Sequence, residues 1–319
     1  MRSPFVLDTD VIGANSRKIS ELVRPFGFQL VAVLKHGFRS RRLIDTLLGS
    51  GVDAFAFALP PPAGRLGQSM SLYPSASRRR GDWPAGTVFT ELAHEPIARH
   101  LTTPARVQGR PLEIMVPVVT SDGREGLHPN EVLDFVLGLE RQFGALVRVR
   151  GVQACFGCVD DMAPDEADLL ALHQLTRAVA AQTASSMVLS LGGSAILPKL
   201  AQIPVHPEVS VEIRCGEAIV AGTVPGRGAM FGLQPTATLI GDVIQARPAH
   251  GKLELVVDRG EFAISGQGTA TGIPGGRIIR NTSQHSVIEC PAEAVDPAVE
   301  QVEFVLSYAD TVRCLDIGQ

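Results

Sequence analysis

The sequence predicts an α/β protein, an N-terminal (β/α)8 TIM-type barrel followed by a C-terminal mostly-β domain, and three observations carry the prediction. Its 319 residues are 45% hydrophobic and 19% charged, enough to fold a barrel of roughly 200–250 residues plus a smaller domain. Short β-branched or apolar runs alternate with longer segments of helical period up to about Arg214, as βα units around a parallel sheet do. Beyond about Gly226, strand-like runs follow one another through Gly/Pro-rich connections such as GQGTATGIPGG. The domains are therefore expected at 1–225 and 226–319.

In chain order, the predicted barrel strands are Leu30–Lys35, Asp53–Ala58, Ser69–Tyr73, Thr87–Thr90, Leu112–Val119, Val147–Phe156, Met187–Ser190 and Val209–Arg214. Eight such runs match the strand number of the barrel. The helical segments between them are Ser40–Leu48, Glu91–His100, Asn130–Phe143, Pro164–Gln182 and Ser194–Ala201; the fourth starts PDEADLL, an acid-rich first turn suited to a helix N-terminus. Pro74–Pro84 (PSASRRRGDWP) reads as a solvated loop. The second domain should form strands at Ala237–Gln245, Lys252–Asp258, Glu261–Ser265, Ser286–Cys290 and Val302–Tyr308.

A net charge of −4 and a pI of about 6.1 give no global positive excess to hold a nucleic acid or an anionic membrane. The five cysteines have no framework spacing, and acidic Asp8 and Asp10 interrupt the segment where a signal peptide needs an apolar run. A cytoplasmic protein is expected. Lysine occurs only at Lys18, Lys35, Lys199 and Lys252, and tyrosine only at Tyr73 and Tyr308, so amine and phenol chemistry have few candidates.

Lys35 closes the first barrel strand, which puts it at the C-terminal rim where barrel active sites are built. There it is either a rim lysine in water or a desolvated amine able to form a Schiff base with an aldehyde such as pyridoxal phosphate. Leu191–Ser194 (LGGS) and Arg214–Glu217 (RCGE) follow strands seven and eight, the usual place of a barrel phosphate site. Cys155 and Cys158 form a C-x-x-C with no second cysteine or histidine pair at finger-like spacing, so no metal is expected. Arg124, in SDGREG, is either a surface arginine or a bidentate carboxylate donor. His285, in SQHSV, is expected on a strand of the second domain.

The collinear series VAVLKHG, SDGREGL, VQACFGCVDDMAPDEADLL, LGGSAILP, EIRCGEAIVAG, VVDRG, NTSQHSVIEC and FVLSYADTVR resembles the alanine racemase superfamily, fold type III pyridoxal-phosphate enzymes, and most closely its ornithine racemase-like branch. The likeness runs from about Phe5 to Leu315. It implies that Lys35 is the Schiff-base lysine and an acid/base at the substrate α-carbon, and that Arg214 bonds the pyridine nitrogen of pyridoxal 5'-phosphate. It further implies phosphate binding by the backbone at Gly216 and Glu217 and by the hydroxyls of Ser194 and Tyr308, with Cys155 near the ring and Arg124 on the substrate carboxylate. A head-to-tail homodimer is also implied, each second domain completing the partner's site.

Two departures stand out. Where such racemases place a tyrosine as second acid/base, the sequence reads SGQGTATG, with Gln267 near the position, and a glutamine cannot exchange a proton there. A neighbouring acidic motif reads Gln284-His285, which leaves His285 as the best titratable candidate, with Cys290 behind it, and Gln284 at a substrate-binding position. The resemblance implies an amino-acid racemase or epimerase acting by α-proton abstraction, with ornithine or another basic amino acid as the suggested substrate. A decarboxylase or lyase of the same fold and a non-catalytic pyridoxal-phosphate binding protein are the alternatives.

Overall fold

The structure, a computed structural model, describes residues 5–35, 40–58, 60, 68–71, 87–101, 110–265 and 270–317. Tyr73, the Pro74–Pro84 loop and Gln267 lie outside them. The chain opens with a short strand β1 (Phe5–Leu7) and a helix α1 (Thr9–Val23). Asp8 caps α1, its carboxylate accepting from the N–H groups of Asp10 and Val11 at 2.9 and 3.0 Å. Neither element was among the predicted ones.

Alternating elements follow: β2 (Gln29–Leu34), α2 (Arg41–Leu48), β3 (Ala54–Phe57), β4 (Gln68–Ser71), β5 (Phe89–Thr90), α3 (His94–Leu101), β6 (Leu112–Pro117), α4 (Pro129–Phe143), β7 (Val147–Cys155), α5 (Glu166–Thr183), β8 (Met187–Gly192), β9 (Val209–Cys215) and α6 (Glu217–Val220). Strands β2 to β9 form one eight-stranded sheet in the order β4-β3-β2-β9-β8-β7-β6-β5. Every pairing is parallel. The sheet is curled, and its two end strands β4 and β5 come alongside each other, as the predicted barrel requires. All eight predicted strands are present, shifted by a residue or two at their ends.

Local sequence explains the helices. Ser40 caps α2, its hydroxyl accepting from Leu43 N–H at 3.2 Å, and Asp165 and Asp168 form a reciprocal capping box at the start of α5. Two predicted helices are corrected. α3 starts at His94 rather than Glu91, because Glu91 is fully buried with its carboxylate 3.0 Å from the His100 ring. The segment predicted as an α-helix over Ser194–Ala201 is a 3-10 helix, Ser194–Gln202; Pro198 inside it has no N–H to complete an α-helical bond.

Chain contacts divide the protein into two compact units: residues 13–219 with 223–233, which hold the parallel sheet, and residues 1–12, 220–222 and 234–319. The second unit contains β10 (Ala237–Ala249), β11 (Lys252–Val257), β12 (Ala270–Thr271), β13 (Arg277–Asn281), β14 (Ser286–Pro291), β15 (Gln301–Val305) and the helix α7 (Tyr308–Ile317). Its sheet is antiparallel, ordered β12-β15-β10-β11-β14-β13, with β1 also paired to β10. β10 pairs with β15 through Asp242 and with β11 from Val243 onward, and the second ladder carries a register shift between Val243 and Gln245. Leu255, Val257, Ile288 and Phe304 are fully buried at its core.

Three expectations fail in this unit. Glu261–Ser265 is a tight turn and not a strand: the N–H groups of Ala263 and Ile264 both return to Gly260 O, at 2.8 and 2.9 Å, so Ile264 is buried while Phe262 is exposed. The strand predicted to reach Tyr308 ends at Val305, and Ser307 caps α7 through a bond from Asp310 N–H, making Tyr308 the first helical residue. His285 is not on a strand. It precedes β14 in an exposed turn closed by bonds between Thr282 and His285. No helix among the described residues is long and apolar enough to cross a membrane.

Candidate active site

Strand parity assembles the site. Val31, Ala54, Ala56, Val88, Met115 and Val188 pack together with Val33 inside the curled sheet. Side chains two apart on a strand share a face, so the inward face of β2 runs Val31, Val33 and on to Lys35, which is half-buried just past the strand. Val31 lies opposite Arg214 in β9, Arg214 opposite Gly192 in β8, and Gly192 opposite Cys155 in β7. The C-terminal rim therefore carries Lys35, Arg214, Gly192 and Cys155 on one inward face.

Arg214 is buried, with 4% of its surface exposed. Its Nη1 donates to the carbonyl and hydroxyl of Ser190 at 2.9 and 2.7 Å, and Nη2 donates to Ala154 O at 3.0 Å. These bonds fix the guanidinium plane and leave Nε, among the described residues, as its unengaged donor. Gly192 makes the arrangement possible: a Cβ there would stand 2.5 Å from Arg214 Nη2 and 2.8 Å from Cys155 Sγ.

The two turns beyond β8 and β9 are tied together. Gly193 N–H donates to Arg214 O at 3.0 Å, and Ala218 N–H donates to the Ser194 hydroxyl at 2.9 Å. Ser194, Gly216 and Glu217 thus sit on adjoining turns at one place on the rim. Glu217 accepts from the Thr223 hydroxyl at 2.7 Å. Burial raises its carboxyl above the ordinary range and Asp161 adds to this, while Thr223 and the nearby charge of Lys35 oppose it. Gly193 has φ +105°, and a Cβ there would lie 1.9 Å from Phe156 O. Gly193→Ala is expected to lower the melting temperature measured by calorimetry, with backbone strain alone costing about 1–3 kcal/mol; an unchanged melting temperature would contradict this geometry.

Arg124 reaches the same rim from the loop after β6. Thr120 donates to Cys155 O at 2.6 Å, and the Asp122 carboxylate accepts from Cys158 N–H at 3.0 Å, which latches this loop to the one after β7. Arg124 Nη1 then lies 3.6 Å from Cys155 Sγ, and Nη2 bonds Glu125 at 2.8 Å. Cys155 Sγ is 3.9 Å from Arg214 Nη2 and 3.9 Å from Cys158 Sγ. The Cys158 thiol donating to it, and against burial the guanidinium charges of Arg214 and Arg124, hold the Cys155 thiol well below the usual range. Cys158 is pushed the other way, first by the same bond.

Of the residues singled out in the sequence, Lys35, Arg124, Cys155, Ser194, Arg214, Gly216 and Glu217 belong to the parallel unit. Gln284 and His285 sit in one exposed turn of the antiparallel unit, where Tyr308 also opens α7. Sequence reasoning missed Ser190 and Asp122, whose roles depend on strand register and on contact between two loops. Among the described residues, no group of three or more His, Cys, Asp or Glu side chains could hold a metal ion.

Residues 7–223 match the family model described as alanine racemase, N-terminal domain. No curated protein matches the sequence. Among solved structures, the chain is similar to the alanine racemase from D-cycloserine-producing Streptomyces lavendulae (18% identity, 99% of this chain and 93% of that one, TM-score 0.69). It is also similar to D-threonine aldolase from Filomicrobium marinum (14%, 99% and 90%, TM-score 0.72) and D-threo-3-hydroxyaspartate dehydratase from Delftia sp. HT23 (16%, 99% and 92%, TM-score 0.68). At these identities the likeness is one of fold.

Proposed function

The chain belongs to the alanine racemase family through its N-terminal domain, and on that premise we propose that it racemises or epimerises a free amino acid by moving the α-proton. The family is one of pyridoxal-phosphate enzymes. The rim suits that group: an inward amine, a clamped guanidinium with a donor to spare, and two adjoining backbone turns. When bound, pyridoxal phosphate supplies an electrophilic aldehyde and a ring that delocalises electrons from the substrate α-carbon.

In this reading Lys35 holds the cofactor covalently and takes or returns the α-proton. Arg214 donates to the ring nitrogen. Because a guanidinium keeps its proton, Arg214 would hold that nitrogen without passing a proton to it, a pairing that suits return of the proton to the α-carbon. Ser194 and the backbone at Gly216 and Glu217 bind phosphate from the two turns. Arg124 holds the substrate carboxylate. His285 serves as the second acid/base, offered by the antiparallel unit to the other subunit of a homodimer, with Gln284 beside the substrate and Tyr308 on the phosphate. The observation that carries the reading is the fixed guanidinium of Arg214.

A second reading, decarboxylation or lyase cleavage, is favoured by one observation: with only Tyr73 and Tyr308 in the chain, the usual tyrosine acid/base is missing. Incubating amino acids, ornithine included, in deuterated water separates the two. Racemisation puts deuterium at the α-carbon with loss of optical activity, and His285→Ala should slow exchange of one enantiomer far more than of the other. An amine or keto product without racemised substrate would overturn the racemase reading in favour of the lyase.

A further inference from the structure

The racemase reading gives Cys155 a place near the ring but leaves its ionisation, and Cys158 altogether, without a task. All five cysteines are free, and they differ sharply in setting. Cys215 is buried and burial pushes its thiol up to about 12; Cys314 is pushed up to about 11, burial first and Asp310 second. Cys290 is buried in the antiparallel core. Cys155 lies between two guanidiniums, with Nη atoms of Arg124 and Arg214 at 3.6 and 3.9 Å from its sulfur. The exposed Cys158 stands 3.9 Å away. An electropositive, partly accessible cysteine with a second thiol in reach is the arrangement that selects one sulfur for oxidation.

We propose that Cys155 and Cys158 are an oxidisable pair at the barrel rim, in which Cys155 reacts with a hydroperoxide and Cys158 then closes a disulfide. In the first step the Cys155 thiolate attacks the terminal peroxide oxygen; the O–O bond breaks, hydroxide (or an alkoxide) leaves and takes up the proton released when the thiol ionised, and Cys155 becomes a sulfenic acid. In the second, the Cys158 sulfur gives up its proton and attacks Cys155 Sγ. The S–O bond breaks, water leaves, and the S–S bond forms. The two thiols lose two electrons and the hydroperoxide gains them. The sulfurs must close from 3.9 Å to about 2.05 Å, and Gly157 between them, at φ +68°, belongs to a turn rather than to a strand.

The pair also touches Arg124. Loss of the thiolate removes an anion that faces this guanidinium, so oxidation should change the KM for an amino acid; this consequence rests on the carboxylate role proposed for Arg124, whereas the thiol chemistry does not.

The test treats cofactor-loaded protein with hydrogen peroxide and follows thiol titration under denaturing conditions, intact mass and dimedone labelling. Wild type should lose two thiols and two hydrogens, recovered with dithiothreitol. Cys158→Ser should trap a dimedone-reactive sulfenic acid on Cys155, and Cys155→Ser should react at least about tenfold more slowly. All five thiols surviving, label on Cys215, Cys290 or Cys314, or Cys155→Ser reacting at the wild-type rate would overturn the proposal. Two thiols lost with KM unchanged would leave the pair standing and remove the carboxylate role of Arg124.

Discussion

Lys35→Ala should abolish covalent attachment of pyridoxal phosphate and lower turnover by about a thousandfold or more, because it removes both the anchoring amine and a proton carrier. The expectation follows from position. Lys18 is in α1, Lys199 in the 3-10 helix after β8, and Lys252 starts β11 at the surface, paired to Glu289 at 2.8 Å. Lys35 follows β2 on the face that Val31 and Val33 turn inward, close enough to Glu217 for its charge to be felt there. Borohydride reduction of the loaded protein followed by peptide mapping reads this directly: the reduced cofactor should be found on Lys35 in wild type and on no residue in the variant. A label on Lys18, Lys199 or Lys252 would sink the assignment.

Arg214→Gln should reduce turnover by roughly 10²–10³-fold, the scale seen when a fixed donor at a reacting group is removed, and it should also weaken cofactor binding. The variant leaves buried acceptors short, since the Ser190 carbonyl and hydroxyl and Ala154 O all take hydrogen bonds from the native guanidinium. A lower melting temperature is therefore expected as well. A readout that general instability would not move is the thiol of Cys155: with one of its two guanidinium neighbours gone, its ionisation should shift upward, so the pH at which its alkylation is half-maximal should rise. Unaltered alkylation together with wild-type turnover would show that Arg214 touches neither the ring nor the sulfur.

Much of this was legible in the residues. β-branched runs of the right length announced all eight parallel strands, and Lys35 just past the first of them, read with LGGS and RCGE, pointed to the rim on which the structure gathers Lys35, Ser194, Arg214, Gly216 and Glu217. Parity then does what periodicity alone could not: the register from Val31 through Arg214 and Gly192 to Cys155 brings four residues of distant sequence to one face. Less legible were features that depend on long-range contact. The apolar Phe262–Ile264 stretch looks like a strand, but the N–H groups of Ala263 and Ile264 both return to Gly260 O. Pro198 turns an α-helical pattern into a 3-10 helix. Tyr308 and His285 fall just outside the strands assigned to them because Ser307 starts a helix and Thr282 closes a turn. The latch of Asp122 on Cys158 N–H joins two loops whose spacing in sequence gives no hint of it.

Gly192 has a consequence for how this site can diverge. The room at the rim between β7, β8 and β9 is already filled from two sides by Arg214 and Cys155, so any enlargement at one of the three positions is a subtraction from another. The strand ends act as a fixed volume shared among neighbours, in which single substitutions are trapped and only compensated pairs can drift. Under the proposed function, a change of substrate preference is then expected to come from the loops around that layer rather than from a single substitution within it.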